Sequence, residues 1–200
     1  MPFPVVHAVA GYTVYQISKK QGDALNWKLA LYCMVMGNFA DLDFIPGLMI
    51  GQATRFHHGI THSFGFALIA GLAAAFLIKF FKKKDPLKAF LVTSVAYASH
   101  VFLDIVNGAW KPMPVFWPLT NKTFFGHPSA TLHEHHCAFD SGLATFQDFI
   151  RFLTQPYYLK QMAAEFLLFA TIIGIIQVGL EISKRLRFDL QRPRLILPKD

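Results

Sequence analysis

The chain has 200 residues and a mass of 22.6 kDa, the size of one domain, and 54% of it is apolar against 16% charged. Soluble globular domains run nearer roughly 45–50% and 25%, so the balance excludes a disordered chain and favours a bilayer-embedded one. A formal charge of +7 and a pI near 9.5 would suit nucleic acid, but the basic residues form short clusters beside apolar runs, the arrangement that sets membrane topology. No nucleic-acid partner is expected, and the lipid bilayer is.

Residues 4–18 predict a helix of about 22 Å, too short to span. The segment lacks a basic leading region and a small-residue cleavage site, so a cleaved signal peptide is not expected and His7 stays in the chain. Residues 29–50 are apolar but carry Asp41 and Asp43 ahead of a Pro46-Gly47 turn signal. HHGITHS at 57–63 follows, where Gly59 allows a tight turn and Thr61 or Ser63 caps the next helix. Residues 64–81 are the cleanest span, Asp85-Pro86 marks a turn, and 88–106 is a third apolar run with His100 and Asp104 in its last turns. The stretch 107–160 is the long non-spanning region, with a short helix expected near 141–154. It contains HPSATLHEHHC at 127–137. Residues 161–182 form the last span, and 184–200 a basic tail. Cys33 and Cys137 make neither a disulfide framework nor a zinc knuckle. The expected fold is all-α: a single-domain polytopic membrane helical bundle over 1–200, with about four membrane segments, a short N-terminal helix and an outer loop region.

Alternating spans place 14 of the 19 Lys and Arg on one side, leaving Arg55, Lys111, Lys122, Arg151 and Lys160 opposite. The positive-inside rule makes the rich side cytoplasmic, with 107–160 extracytoplasmic and the tail from 184 inside. All nine histidines then fall toward the outer side. Counted from Lys19, Lys28 and Lys88, the residues His7, Asp41 and His100 are 12, 13 and 12 positions along, so each reaches about 18–20 Å into a core of roughly 30 Å. His62 belongs to the same layer.

His100 and Asp104 are four apart and share a helix face, fit to hold one ion or to pair a ligand with its supporting carboxylate. His57, His58 and His62 crowd three imidazoles into six residues. Imidazoles with carboxylates suit a divalent ion, zinc first and manganese or iron as alternatives, and the lack of clustered thiolates argues against copper(I) or an iron–sulfur centre. The expected ligands are His7, Asp43, His57, His62, His100 and Asp104, and Asp41 and Asp43 are the expected catalytic pair. Asp43 is expected as ligand, because the Pro46-Gly47 turn lets it swing inward, and Asp41 as base or as support for a ligand. His58, His127, His133, His135 and His136 are auxiliary candidates. No G-x-S-x-G, S-x-x-K, Walker A or G-x-G-x-x-G occurs.

Taken together, His7 with Gly11, Asp41 with Asp43, HHGITHS, His100 with Asp104, and Trp117-Pro118 resemble, over roughly residues 4–120, the YdjM-like family of LexA-regulated, membrane-bound metal-dependent hydrolases. His57 matches the family's first histidine of the central run, and His58 stands where the family carries arginine. The order of residue types is also similar, at the level of fold analogy, to the zinc-dependent phospholipase C superfamily. The resemblance implies a metal-dependent hydrolase of the bacterial inner membrane. An outer-face site favours a lipid phosphoester or related ester as substrate. A metal transporter or sensor is the competing expectation, and a structural protein with a pH-responsive histidine cluster is a third.

Overall fold

Residues 4–19, 23–52, 54–82, 85–107, 111–124, 147, 150–151 and 154–191 are described by a computed structural model. The 127–137 histidine loop, most of the helix expected near 141–154 and the end of the tail lie outside them. Among the described residues the chain is all-α, with six α-helices and no strand. They are α1 (Pro4–Ser18), α2 (Trp27–Met36), α3 (Phe44–Met49), α4 (Phe64–Leu77), α5 (Pro86–Asn107) and α6 (Pro156–Gln191). A 3-10 helix, Phe39–Asp43, leads into α3, and a π-helical turn, Ile78–Lys82, ends α4.

Caps explain where the helices begin. The Asn26 side chain accepts from the Leu29 amide at 3.2 Å, while the Asn26 amide donates to the Tyr15 hydroxyl at 2.8 Å and ties α1 to the start of α2. Ser63, not Thr61, caps α4 by accepting from the Phe66 amide at 3.0 Å. Asp85 accepts from the amides of Leu87 and Lys88, and Pro86 opens α5, where its missing N–H costs nothing.

Three helices are long and apolar enough to cross a membrane, over Phe64–Phe81, Pro86–Val106 and Met162–Ser183. The run 29–50, expected as one segment, is instead a broken pair, α2 and the Phe39–Met49 stretch, bent by 54°. The cause lies at Gly37. The Asp41 amide, which would complete an α-helical bond to the Gly37 carbonyl, bonds Asn38 O at 3.2 Å instead, and the freed Gly37 carbonyl accepts from His100 Nδ1 at 2.9 Å. Pro46 and Gly47 do not form the expected turn. They lie within α3, where Pro46 falls in the first turn and needs no intrahelical amide partner.

Packing brings the polar segments together. α1 lies against α2, α5 and α6, and α4 lies against α5. Two close approaches set the distances. A Cβ on Gly11 would stand 2.1 Å from the Cys33 carbonyl oxygen, and one on Gly37 would stand 2.4 Å from the His7 carbonyl oxygen, so only glycine lets α1 and α2 meet there. The shared core holds Tyr15, Cys33, Ala67, Ala96, Tyr97 and Val101, with Met113 and Val115 pressed onto it from the loop after α5. Leu68, Leu72 and Phe76 of α4 stay exposed, as a face toward lipid requires.

Candidate metal centre

The sequence places its ligand-type residues on four separate segments, and the fold gathers them. His7 of α1, His57, His58 and His62 of the 54–63 loop, and His100 and Asp104 of α5 are all buried, and the side chains of Asp41 and Asp43 are only 15% and 6% exposed. His7, Asp41 and His100 offer ligand atoms within 4.8 Å of one another, and so do His62, His100 and Asp104, and His57, His58 and His62.

Four of the imidazoles share one arrangement. His58 Nδ1 lies 2.9 Å from the Lys111 carbonyl oxygen, His100 Nδ1 lies 2.9 Å from that of Gly37, and His57 Nδ1 lies 2.8 Å from Asp43 Oδ1. His62 Nδ1 lies 3.1 Å from Asp43 Oδ2 and 3.2 Å from the Thr61 hydroxyl, which itself donates to Asp43 Oδ2 at 2.7 Å. Carbonyl and carboxylate oxygens only accept, so each Nδ1 carries a proton, and a neutral ring in this arrangement has its lone pair on Nε2. An oxygen partner on one ring nitrogen that aims the other is the usual support of a metal-binding histidine.

These lone pairs meet carboxylates. His62 Nε2 and His100 Nε2 stand 3.2 Å apart. Asp41 Oδ1 is 3.5 Å from the first and 3.4 Å from the second, and Asp104 Oδ2 is 3.7 Å and 3.2 Å from them. Zinc bonds of about 2.0–2.1 Å in a tetrahedron imply ligand separations of roughly 3.3–3.4 Å. The separations among His62, His100 and Asp104 (3.2–3.7 Å), and those among His62, His100 and Asp41 (3.2–3.5 Å), lie around that value. Among the described residues, neither carboxylate has a donor in hydrogen-bonding geometry. With both rings neutral, two facing lone pairs beside two buried carboxylates call for positive charge between them, and the donor chemistry fits a divalent ion of borderline softness.

His7 completes this side, its ring stacked on His100 at 3.8 Å and its Nε2 3.5 Å from Asp104 Oδ1. Asp43, expected as the ligand, has its oxygens engaged by His57, His62 and Thr61, whereas Asp41 places Oδ1 beside the Nε2 atoms of His62 and His100. The 3-10 helix explains this, since its two acidic side chains flank His62, one facing each ring nitrogen.

The 57–63 turn also differs from expectation. His58, not Gly59, takes the left-handed backbone conformation, at φ 62°. Lys111 holds it there through its carbonyl, while the Lys111 ammonium donates to the carbonyls of Thr54 and Arg55, both at 3.3 Å. Burial pushes the His58 imidazole well below the usual histidine range, and the neighbouring His57 and His62 rings add to the shift. Burial likewise lowers His57, against the opposing effect of the hydrogen bond it donates to Asp43. Three supports escaped sequence reasoning: the Gly37 carbonyl, the Lys111 carbonyl, and the Tyr97 hydroxyl, which donates to Thr61 O at 2.9 Å. Only Gly37 left a trace, as the Gly-Asn that precedes Asp41.

Fold and site together define an all-α membrane protein with a buried histidine–aspartate centre. Residues 1–185 match the family model described as YdjM inner membrane protein, and the chain belongs to the YdjM family. No curated protein and no solved structure matches it.

Proposed function

We propose that this chain is an integral-membrane metal-dependent hydrolase whose substrate is a lipid phosphoester or a related ester near the outer face of the inner membrane. The carrying observation is that His62 Nε2 and His100 Nε2 stand 3.2 Å apart, with Asp104 Oδ2 3.7 and 3.2 Å from them and Asp41 Oδ1 3.5 and 3.4 Å from them, separations close to those between ligands of one divalent ion. A bound zinc, or manganese or iron, supplies Lewis acidity at a scissile ester and acidifies a water. The chain's own part is to hold the site. Gly37 O, Lys111 O and Asp43 set the tautomers, Thr61 keeps Asp43 turned to both rings, and burial excludes bulk water.

Beside Asp43 and Thr61 opens a cavity of about 550 Å³, walled by Phe39, Leu42, Phe56, Ile60 and Phe66. Apolar walls leading to a charged floor suit a molecule with an acyl chain and a polar linkage. The transport reading asks for ligand-type groups continuing along α5 toward its basic end. The buried polar residues there are Thr93 and Ser94, and Thr93 is already bonded to the Tyr32 hydroxyl at 2.6 Å.

Purified protein loaded with zinc, assayed on a phospholipid panel, is expected to release product, with His100→Ala and Asp41→Asn lowering turnover by at least ~10²-fold. Wild type that hydrolyses no ester and instead moves zinc into proteoliposomes establishes the transporter reading in its place.

A further inference from the structure

The cavity beside Asp43 and Thr61 has a smaller neighbour. A second cavity, of about 280 Å³, is walled by Ala8 of α1, by Met34, Val35 and Asn38 at the end of α2, and by Phe39 and Leu42. Among the described residues, Phe39 and Leu42 alone line both cavities. The 3-10 helix explains why. Its three residues per turn set Phe39 and Leu42 one above the other on a single face. The rest of the turn faces inward, with Ala40 buried and the side chains of Asp41 and Asp43 only 15% and 6% exposed. Phe39 and Leu42 keep 39% and 46% of their surface exposed, and they stand as an apolar ridge between the two cavities. On one side of it the remaining walls come from α1 and α2, and on the other from α3, the 54–63 loop, α4 and α5. A cation borders the larger cavity. The Arg55 guanidinium stands 5.7 Å from the ring centre of Phe56, which is one of that cavity's walls, and its Nη1 donates to Gln52 Oε1 at 3.1 Å. The Arg55 backbone is held at both ends, its amide donating to Gln52 O at 3.0 Å and its carbonyl accepting from the Lys111 ammonium at 3.3 Å. An anchored guanidinium is well suited to a phosphate.

We infer that the lipid this site takes is a two-chain phospholipid, seated with the ridge of Phe39 and Leu42 between its acyl chains, one chain in each cavity, and with Arg55 facing its phosphate. The inference rests on the lipid reading proposed above and narrows it. A single-chain lipid fills only one of the two cavities. A two-chain lipid fills both, and its branch point then lies at the 3-10 helix that carries Asp41 and Asp43.

The test reads binding without turnover. Metal-free, full-length protein in detergent is titrated with a two-chain phosphatidylglycerol and with the lysophosphatidylglycerol of the same acyl length, and bound lipid is counted by native mass spectrometry. Wild type is expected to bind the two-chain lipid at least ~10-fold more tightly. A second chain adds apolar area to any contact, so the variants decide. Val35→Trp, at an exposed wall of the smaller cavity, fills that cavity and is expected to bring the two-chain lipid down to the affinity of the single-chain one, whose own affinity stays unchanged. Ala8→Leu, on α1 across the same cavity, is expected to act likewise, and unchanged thermal unfolding identifies the folded variants. Arg55→Gln is expected to weaken both lipids alike, because they share the phosphate. Equal affinity of the two lipids for wild type, or a two-chain preference that survives in folded Val35→Trp and Ala8→Leu, overturns the two-cavity seat and leaves the hydrolase reading to its own assay. Unchanged binding of both lipids in Arg55→Gln overturns the phosphate contact. Zinc-loaded protein that hydrolyses no ester while the chain preference holds overturns the hydrolase reading and not the lipid seat.

Discussion

Asp41 and Asp43 sit two residues apart, and their roles are decided by what already occupies their oxygens. Asp43 accepts from His57 and Thr61 and faces the protonated nitrogen of His62, so it orients rings. Asp41 Oδ1 lies 3.5 and 3.4 Å from the Nε2 atoms of His62 and His100, and among the described residues neither of its oxygens has a donor in hydrogen-bonding geometry. Zinc affinity, measured by competition with a chelator, should therefore fall furthest in Asp41→Asn, which loses a ligand. Asp43→Asn is expected to lose about 10–100-fold, the usual cost of removing a ligand's support. Thr61→Val, which removes one hydrogen bond to Asp43, should lose less than Asp43→Asn. The opposite ranking of the two acidic residues would restore Asp43 as the ligand.

At the scale of the elements, the site depends on α1 and α2 touching backbone to backbone. Gly11→Ala and Gly37→Ala each push a methyl into a carbonyl, and relieving that contact must move His7 or the Gly37 carbonyl that orients His100. Each is expected to destabilise by about 1–3 kcal/mol, as overpacking does, and to lower bound zinc. Gly174→Ala on α6 is the contrast, because a Cβ there meets nothing within 4 Å. Thermal unfolding in detergent with metal analysis of each variant checks this, and equal behaviour of all three variants would show that the approach of α1 to α2 does not control the site. The broken pair of α2 and the 3-10 helix follows the same logic. A continuous helix would consume the Gly37 carbonyl and leave His100 Nδ1 unbonded.

At the scale of the molecule, the division of basic residues predicts that the segment around 83 and the region after 184 are cytoplasmic and that the loop carrying Lys122 is outside. In a variant lacking Cys33 and Cys137, a single cysteine at 122 should react with an impermeant reagent on intact cells and one at 83 should not. Reaction at 83 alone inverts the topology and moves the metal centre toward the cytoplasm. With the predicted orientation, the end of α5 that carries His100 and Asp104 would lie toward the outer face, and the lipid substrate proposed above would reach the cavity beside Thr61 from the outer leaflet.

Length and hydropathy were enough to read the helical class, the three spans and the short first helix, because the need to satisfy every backbone group in lipid leaves few alternatives. The spacing of His100 and Asp104 was legible for a similar reason: a regular helix turns sequence distance into direction. Depth along each helix could be counted too, and His7, Asp41 and His100 do meet. The roles of Asp41, Asp43 and His58 could not be read this way. They depend on a 3-10 turn, a left-handed residue and carbonyls contributed by Gly37 and Lys111. Which oxygen meets which ring nitrogen is a matter of tenths of an ångström between segments far apart in the chain, and only the packing of the helices decides it.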